Sequence, residues 1–191
     1  MQNDMTPGLV LRGKKIVLGV CSSISIYKAA ELLSRLLSFG SDVHVVMTEN
    51  ATKLMSPRIF QTLSRNDVYC SMWDHIADWK PEHIALAESA DLLLVAPATA
   101  NTIGNFANGL APDMLSAVFL ATLAKVQIAP AMNCNMYANP AVIKNIAELK
   151  ARGVFFTEPE DGKLACGITG RGRLASIDSI IADSIKILSD L

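Results

Sequence analysis

Neither sign of charge is in excess in this chain: 17 Lys and Arg stand against 18 Asp and Glu, a formal charge of -1 over 191 residues. No broad basic field is available to hold a nucleic-acid backbone, which excludes polymeric anions as partners. The four cysteines, Cys21, Cys70, Cys134 and Cys166, include no CxxC pair and none of the short spacings of a zinc site, so no metal is expected. Apolar runs such as LLLVAPA fall far short of the roughly 20 residues that span a bilayer. The N-terminus, MQNDMTPGLVLRGKKIVLGV, lacks the positive start and apolar stretch of a signal peptide. A soluble cytoplasmic protein with reduced thiols is expected. No internal repeat or low-complexity segment is present, and neither GxGxxG nor GxxxxGK[ST] occurs, which counts against NAD and ATP.

What the chain does have is a 51% hydrophobic content, enough for one compact core, and a single domain over 1–191 is expected. Five apolar runs predict strands: KIVLGV (15–20), DVHVVM (42–47), DLLLVAP (91–97), KVQIAP (125–130) and GVFFT (153–157). Their nearly continuous, β-branched character is that of strands buried on both faces of a parallel sheet. Helical patterns alternate with them. SIYKAAELLSRLLSFG puts Ile26, Ala29, Ala30, Leu33, Leu36 and Leu37 on one face and stops at Gly40. PDMLSAVFLATLAK and NPAVIKNIAELKARG obey the same rule, the second opening with a proline and closing at Gly153. The alternation predicts a three-layer α/β sandwich. The stretch 157–175, TEPEDGKLACGITGRGRLA, has no period of either kind, and its glycines at 167, 170 and 172 predict a mobile loop.

In doubly wound sheets the ligand lies beyond the carboxyl ends of the strands. After the first strand come Ser22, Ser23 and Ser25 at a helix start, three hydroxyls that suit a phosphate; plain capping by one serine is the competing account. After the second comes Thr48, a further hydroxyl or merely a cap. After the third, Thr99, Asn101, Thr102, Asn105 and Asn108 crowd into ten residues, more than capping needs, and could face the edge of a heterocycle. After the fourth comes PAMNCNMY. A flat cofactor bearing a phosphate is the simplest common occupant of the four ends. Of the histidines, His44 alternates inside a strand and reads as structural, His75 as surface, and His83 opens a short helix leading into a strand. Cys166 differs from the other thiols in having Lys163, Arg171 and Arg173 nearby in sequence, charges that favour a reactive thiol.

Together PAMNCNMY, APATANTIGNFANGLAPDMLS, HIALAESADLLL and GKLACGITGRGRL resemble, in order and spacing, the homo-oligomeric flavin-containing cysteine decarboxylases. The resemblance runs from about Leu11 to about Ile185, and its most specific parts are the PxMNxxM[WY] turn and the ACGxxGxGR loop. It implies a Rossmann-like (flavodoxin-like) parallel-sheet sandwich holding FMN. Ser22, Ser23, Ser25 and Thr48 would match the phosphate end, and Ala98, Thr99 and Asn101 the ring-binding turn. Met136 would pack near the flavin. His83 would be the catalytic histidine, Asn133 would bind the carboxylate to be lost, and the segment 160–174 would be a substrate clamp carrying Ala165, Cys166 and Gly167, with Cys166 as its acid. The branch it matches best converts 4'-phospho-N-pantothenoylcysteine to 4'-phosphopantetheine on the way to coenzyme A, through a thioaldehyde, loss of carbon dioxide and re-reduction of the enethiol. The resemblance further implies a trimer, or a dodecamer of trimers, with the flavin near a subunit boundary, and a separate ligase to supply the substrate. Ser22 and Ser23 stand where glycines are common, and Tyr137 where tryptophan is. Three other readings exist: a regulatory FMN-binding protein without turnover, whose relatives carry acidic tails not seen here; a peptidyl-cysteine decarboxylase, which has no need of the cysteine of ACG; and a flavin prenyltransferase, which lacks the PxMNxxM pattern.

Overall fold

The computed structural model describes residues 7–73, 80–163, 167 and 169–189. Its strands are β1 (Lys15–Val20), β2 (Asp42–Met47), β3 (Val68–Tyr69), β4 (Leu92–Ala98), β5 (Lys125–Pro130), β6 (Phe155–Phe156), β7 (Glu160–Lys163) and β8 (Thr169–Arg173). Its helices are α1 (Pro7–Leu11), α2 (Tyr27–Ser38), α3 (Glu49–Thr52), α4 (Pro57–Ser64), α5 (Glu82–Ser89), α6 (Ala100–Ala107), α7 (Met114–Ala121), α8 (Cys134–Tyr137), α9 (Pro140–Ala151) and α10 (Ile177–Ser189), with a 3-10 turn at Ile24–Ile26 ahead of α2.

The first six strands form one parallel sheet in the order β3-β2-β1-β4-β5-β6. Both faces are covered, which is why the strands read as continuous apolar runs. Ile16, Leu18 and Val20 of β1 and Leu92, Leu94 and Ala96 of β4 pack with Leu32, Leu33 and Leu36 of α2, Phe60 of α4 and Ile180 of α10. The alternate residues, Val17 of β1 and Leu93 and Val95 of β4, pack with Phe106 of α6, Leu115 and Val118 of α7 and Leu149 of α9. This is the expected three-layer sandwich. The helix ends also follow the sequence: Gly40 and Gly153, with φ of +82° and +87°, take the left-handed conformation just past α2 and α9, where a side chain would be strained.

Two polar arrangements fix the strands. Asp91 accepts from the Lys15 backbone N–H at 2.8 Å and from Lys14 Nζ at 3.0 Å, tying the starts of β1 and β4 together. Gln127, wholly buried in β5, donates to Thr157 Oγ1 and to the Ile180 carbonyl, each at 2.9 Å, and accepts from Ser184 Oγ at 2.6 Å. Its amide therefore seats α10 on the sheet. His44 is structural in placement, its Nε2 3.1 Å from Asp42 Oδ2 in β2.

Three elements depart from the sequence reading. The two-residue β3 is too short to show a period, and the strand expected at 153–157 narrows to Phe155–Phe156. The stretch 157–175 is not an aperiodic loop: β7 and β8 pair antiparallel as a hairpin. Its alternation is hidden because Gly162, Gly170 and Gly172 occupy positions where side chains would otherwise mark it.

Gly19 leaves no room for a side chain in the central sheet. A Cβ there would lie 2.6 Å from Leu115 Cδ1 and 3.2 Å from Val95 Cγ2. Gly19→Ala is expected to lower stability by about 1–3 kcal/mol through overpacking, measured as a lower urea midpoint, and Leu115→Val in that background is expected to recover part of the loss.

Candidate active site

The chain turns away from β1 in opposite directions, to β2 on one side and β4 on the other, so a crevice opens beyond their carboxyl ends. A cavity of about 710 Å³ lies there, within the 300–1,000 Å³ typical of cofactor sites. Three strand ends supply most of its wall. Ser22, Ser23 and Ser25 follow β1, Thr99 and Ala100 follow β4, and Ala131, Met132, Asn133 and Met136 follow β5.

Each segment is held there by its own capping bond. Ser23 Oγ accepts from the Ser25 N–H at 3.4 Å and opens the 3-10 turn. The hydroxyls of Ser22 and Ser25 make no hydrogen bond among the described residues, so they are surplus to the cap. Thr99 caps α6 through its Oγ1, 3.3 Å from the Thr102 N–H. Asn133 caps α8: its Oδ1 accepts from the Asn135 N–H at 2.8 Å, which fixes which end of the amide is oxygen. Thr102 also donates to Cys21 Sγ at 3.3 Å. Burial drives that thiol up to about 11, against the lowering effect of the Thr102 and Thr99 hydrogen bonds, so Cys21 is a protonated apolar filler at neutral pH.

The structure brings Ser22, Ser23, Ser25, Thr99, Asn133 and Met136 together on one cavity. Others stand apart. Thr48 is buried and spends its hydroxyl on the Ala51 N–H as the cap of α3. Ala98 ends β4, its carbonyl taking the Ala131 N–H at 2.9 Å. Asn101 is exposed on α6 and His83 is half-buried in the first turn of α5; neither lines the cavity. Ala165, Cys166 and His75 lie outside the described residues, while Gly167 is exposed with φ of +85°. Lys28, on the first turn of α2, lines the cavity without having been expected to; its place one turn beyond Ser25 was the available signal.

The hairpin forms the remaining wall through Gly172 and Arg173. Two of its glycines permit close contact. A Cβ on Gly170 would sit 2.9 Å from Cys134 Cβ, and one on Gly172 only 2.3 Å from the Met132 carbonyl oxygen. The gap so kept lets the Met132 N–H donate to the Gly172 carbonyl at 2.9 Å. A charged latch reinforces this seat: Glu158 accepts from Tyr137 Oη at 2.8 Å, from Lys150 Nζ at 2.6 Å and from Arg171 Nη2 at 3.1 Å. Burial alone would raise the Glu158 carboxyl, but hydrogen bonds from Lys150 and Tyr137 and the two positive charges hold it below the usual range. Burial and the adjoining Glu158 carboxylate push the Tyr137 hydroxyl up to about 12.

The latch has a pH window. A lowered Glu158 contributes stability that is present above its ordinary value of 4.5 and lost as pH falls through the folded value. A raised Tyr137 contributes stability that is present below its ordinary value of 10.0 and lost as pH rises toward about 12. In wild type the urea midpoint is expected to fall more steeply below about pH 4.5 than in Glu158→Gln, and the two curves to run parallel between about pH 5 and pH 9.

The family model described as Flavoprotein matches residues 6–189. The coenzyme A biosynthesis bifunctional protein CoaBC of Bacillus subtilis is 46% identical over 172 residues, which cover 90% of this chain and 42% of that protein. The chain thus spans less than half the length of that relative. A Streptococcus mutans protein named as a probable phosphopantothenoylcysteine decarboxylase is 44% identical over 170 residues, covering 88% of this chain and 95% of the relative. The crystal structure of the FMN-dependent cysteine decarboxylase SpaF superposes with a TM-score of 0.82 at 30% identity, covering 94% of this chain and 99% of that one. A parallel sheet whose strand ends share one cavity, and a match that takes in every described residue, lead to one statement: this chain belongs to the Flavoprotein family.

Proposed function

We propose that this protein is an FMN-dependent decarboxylase that converts 4'-phospho-N-pantothenoylcysteine to 4'-phosphopantetheine in coenzyme A biosynthesis. The observation that carries the reading is the position of Asn133, on the wall of the same cavity as the surplus hydroxyls of Ser22 and Ser25. The 44% identity to the protein named as a probable phosphopantothenoylcysteine decarboxylase, over 95% of that relative, supports the substrate, and the likeness to SpaF supports FMN.

The residues present suit the cofactor. Ser22, Ser25 and Lys28 would meet its phosphate, while Thr99 and Ala100 line the cavity beside them for the ring. Ile24, Tyr27 and Met136 stand exposed on the rim, apolar surface that a flat ring would cover. When bound, FMN supplies a reversible two-electron sink, so that the thiol-bearing carbon is oxidised to a thioaldehyde, the neighbouring carboxylate can depart, and the electrons return to the enethiol.

The chain supplies positioning and protons. Asn133 would turn amide N–H groups, donors of the kind a carboxylate accepts from, toward the substrate, and its oxygen is engaged by the cap. Its bonds orient the carboxylate without a full positive charge that would stabilise the starting anion over the departing carbon dioxide. Cys166 would protonate the enethiolate, and the hairpin would exclude water during the step. His83, outside the cavity wall of its own chain, would reach a site carried by a second copy. Homo-oligomerisation, as a trimer or a dodecamer of trimers, would provide that copy, and exposed Trp73, Leu110 and Leu123 offer apolar surface for it. The 191 residues would act as one flavoprotein domain in the cytoplasm, with a ligase supplying the cysteine conjugate; no helix of the described residues is long and apolar enough to cross a membrane.

Asn133→Asp provides a clean test, because aspartate caps a helix as well as asparagine does but offers the substrate an anion instead of a donor. Decarboxylation is expected to fall by at least roughly 100-fold, with helix content unchanged. Cys166→Ser, followed by product mass in a single turnover, is expected to stop at the oxidised enethiol, about two mass units below 4'-phosphopantetheine. Yellow wild-type protein that releases no carbon dioxide from the phosphorylated substrate would overturn the proposed reaction.

A further inference from the structure

We infer that Arg173 is the specificity residue of this site, reading the terminal phosphate of the substrate. The inference rests on the decarboxylase reading for the identity of the ligand, and on the following observations for the site itself. Among the described residues the cavity wall carries two cations, Lys28 and Arg173, and no carboxylate, in a chain that is otherwise balanced in charge. A concave wall of one sign selects anions.

The two cations of β8 separate cleanly. Arg171 is spent on Glu158 at 3.1 Å. Arg173 lines the cavity, and its guanidinium makes no ion pair or hydrogen bond among the described residues. The acid that pairs with it across the hairpin, Glu160, is turned elsewhere: its Oε1 accepts from the Ser176 N–H at 2.8 Å. The arm of Arg173 lies over Gly162, where a Cβ would come within 3.4 Å of its Cδ and Nη1. Its backbone is fixed one residue from the Gly172 carbonyl that holds the Met132 N–H. A cation placed on a fixed stem, against a bare glycine and with its cross-strand acid engaged, is preorganised for a ligand.

Two anions on the substrate could meet it. Pairing with the carboxylate would oppose the reaction, because a guanidinium there stabilises the starting anion more than the transition state in which charge leaves with carbon dioxide. The phosphate keeps its charge throughout, so an ion pair to it binds both states equally and raises affinity without hindering the chemistry. Lys28, one turn beyond Ser25, stands instead at the cofactor's phosphate end.

The test compares binding of 4'-phosphopantetheine and pantetheine, a pair that differs only in the phosphate and lacks the carboxylate, to the FMN-loaded protein by calorimetry. Wild type is expected to prefer the phosphorylated compound by roughly 10- to 100-fold, less at high salt. Arg173→Gln is expected to bring the two within about twofold, with FMN content unchanged, and Arg173→Lys to keep an intermediate preference. Lys28→Gln is expected to release FMN more readily, measured by flavin fluorescence on dilution, while keeping the preference. A preference that survives in Arg173→Gln, one abolished by Lys28→Gln alone, or loss of FMN from Arg173→Gln would each overturn the assignment. So would wild type that binds both compounds equally. An Arg173-dependent preference in protein that fails to decarboxylate the phosphorylated substrate would keep the assignment and remove the proposed reaction.

Discussion

Burial of β1 and β4 on both faces is the constraint from which the rest follows. A strand covered by helices above and below can carry no unpaired polar side chain along its length, since each would cost its full desolvation. Hydroxyls and amides are therefore displaced to the strand ends, where turns and helix starts can use them. The crevice between diverging connections gathers three such ends, so the chemistry of Ser22, Thr99 and Asn133 converges without any of them being close in sequence. Gln127 in β5 is the exception that keeps the rule, since its buried amide is fully engaged by Thr157, Ile180 and Ser184.

Much of this was legible from residues alone. The apolar runs of β1, β2 and β5 matched their strands end for end, because strands buried on both sides leave the plainest record. The strand ends after β1, β4 and β5 likewise carried more polar groups than caps require, and the structure places them on one wall. Thr48 was indistinguishable in sequence from the other hydroxyls, since a cap and a ligand contact use the same residue type; only its buried bond to the Ala51 N–H separates it. The hairpin was illegible for a different reason. Glycine serves both looseness and close approach, and nothing local told that Gly170 and Gly172 face Cys134 and Met132, which lie far back in the chain.

The latch and the open cation show how one short hairpin divides its charges. Arg171 and Arg173 lie two residues apart on β8, a spacing that normally shares one face, but the ladder shifts register between them, so their surroundings differ. One meets a carboxylate already shared by Tyr137 and Lys150 and stays with the scaffold; the other meets a cavity wall that has no acid among the described residues. Tyr137 links the two functions, since it ends the turn that Asn133 begins and holds the acid that holds the hairpin. It combines an aromatic body with a hydroxyl that Glu158 accepts from.

The amide of Gln127 has a bearing on how the chain is made. Ile180 and Ser184, two of its partners, are 53 and 57 residues further along the chain. During synthesis from the N-terminus, β5 emerges well before α10, and for that interval a central strand presents both an unpaired amide and the apolar face that Ala129 shares with Ile180 and Ile181. Domains fold vectorially as they leave the ribosome, and surfaces left open in that period are where nascent chains associate wrongly. The interior of this sheet is thus completed by a helix translated more than 50 residues after β5, and that face of β5 is the surface a nascent-chain chaperone would have to shield.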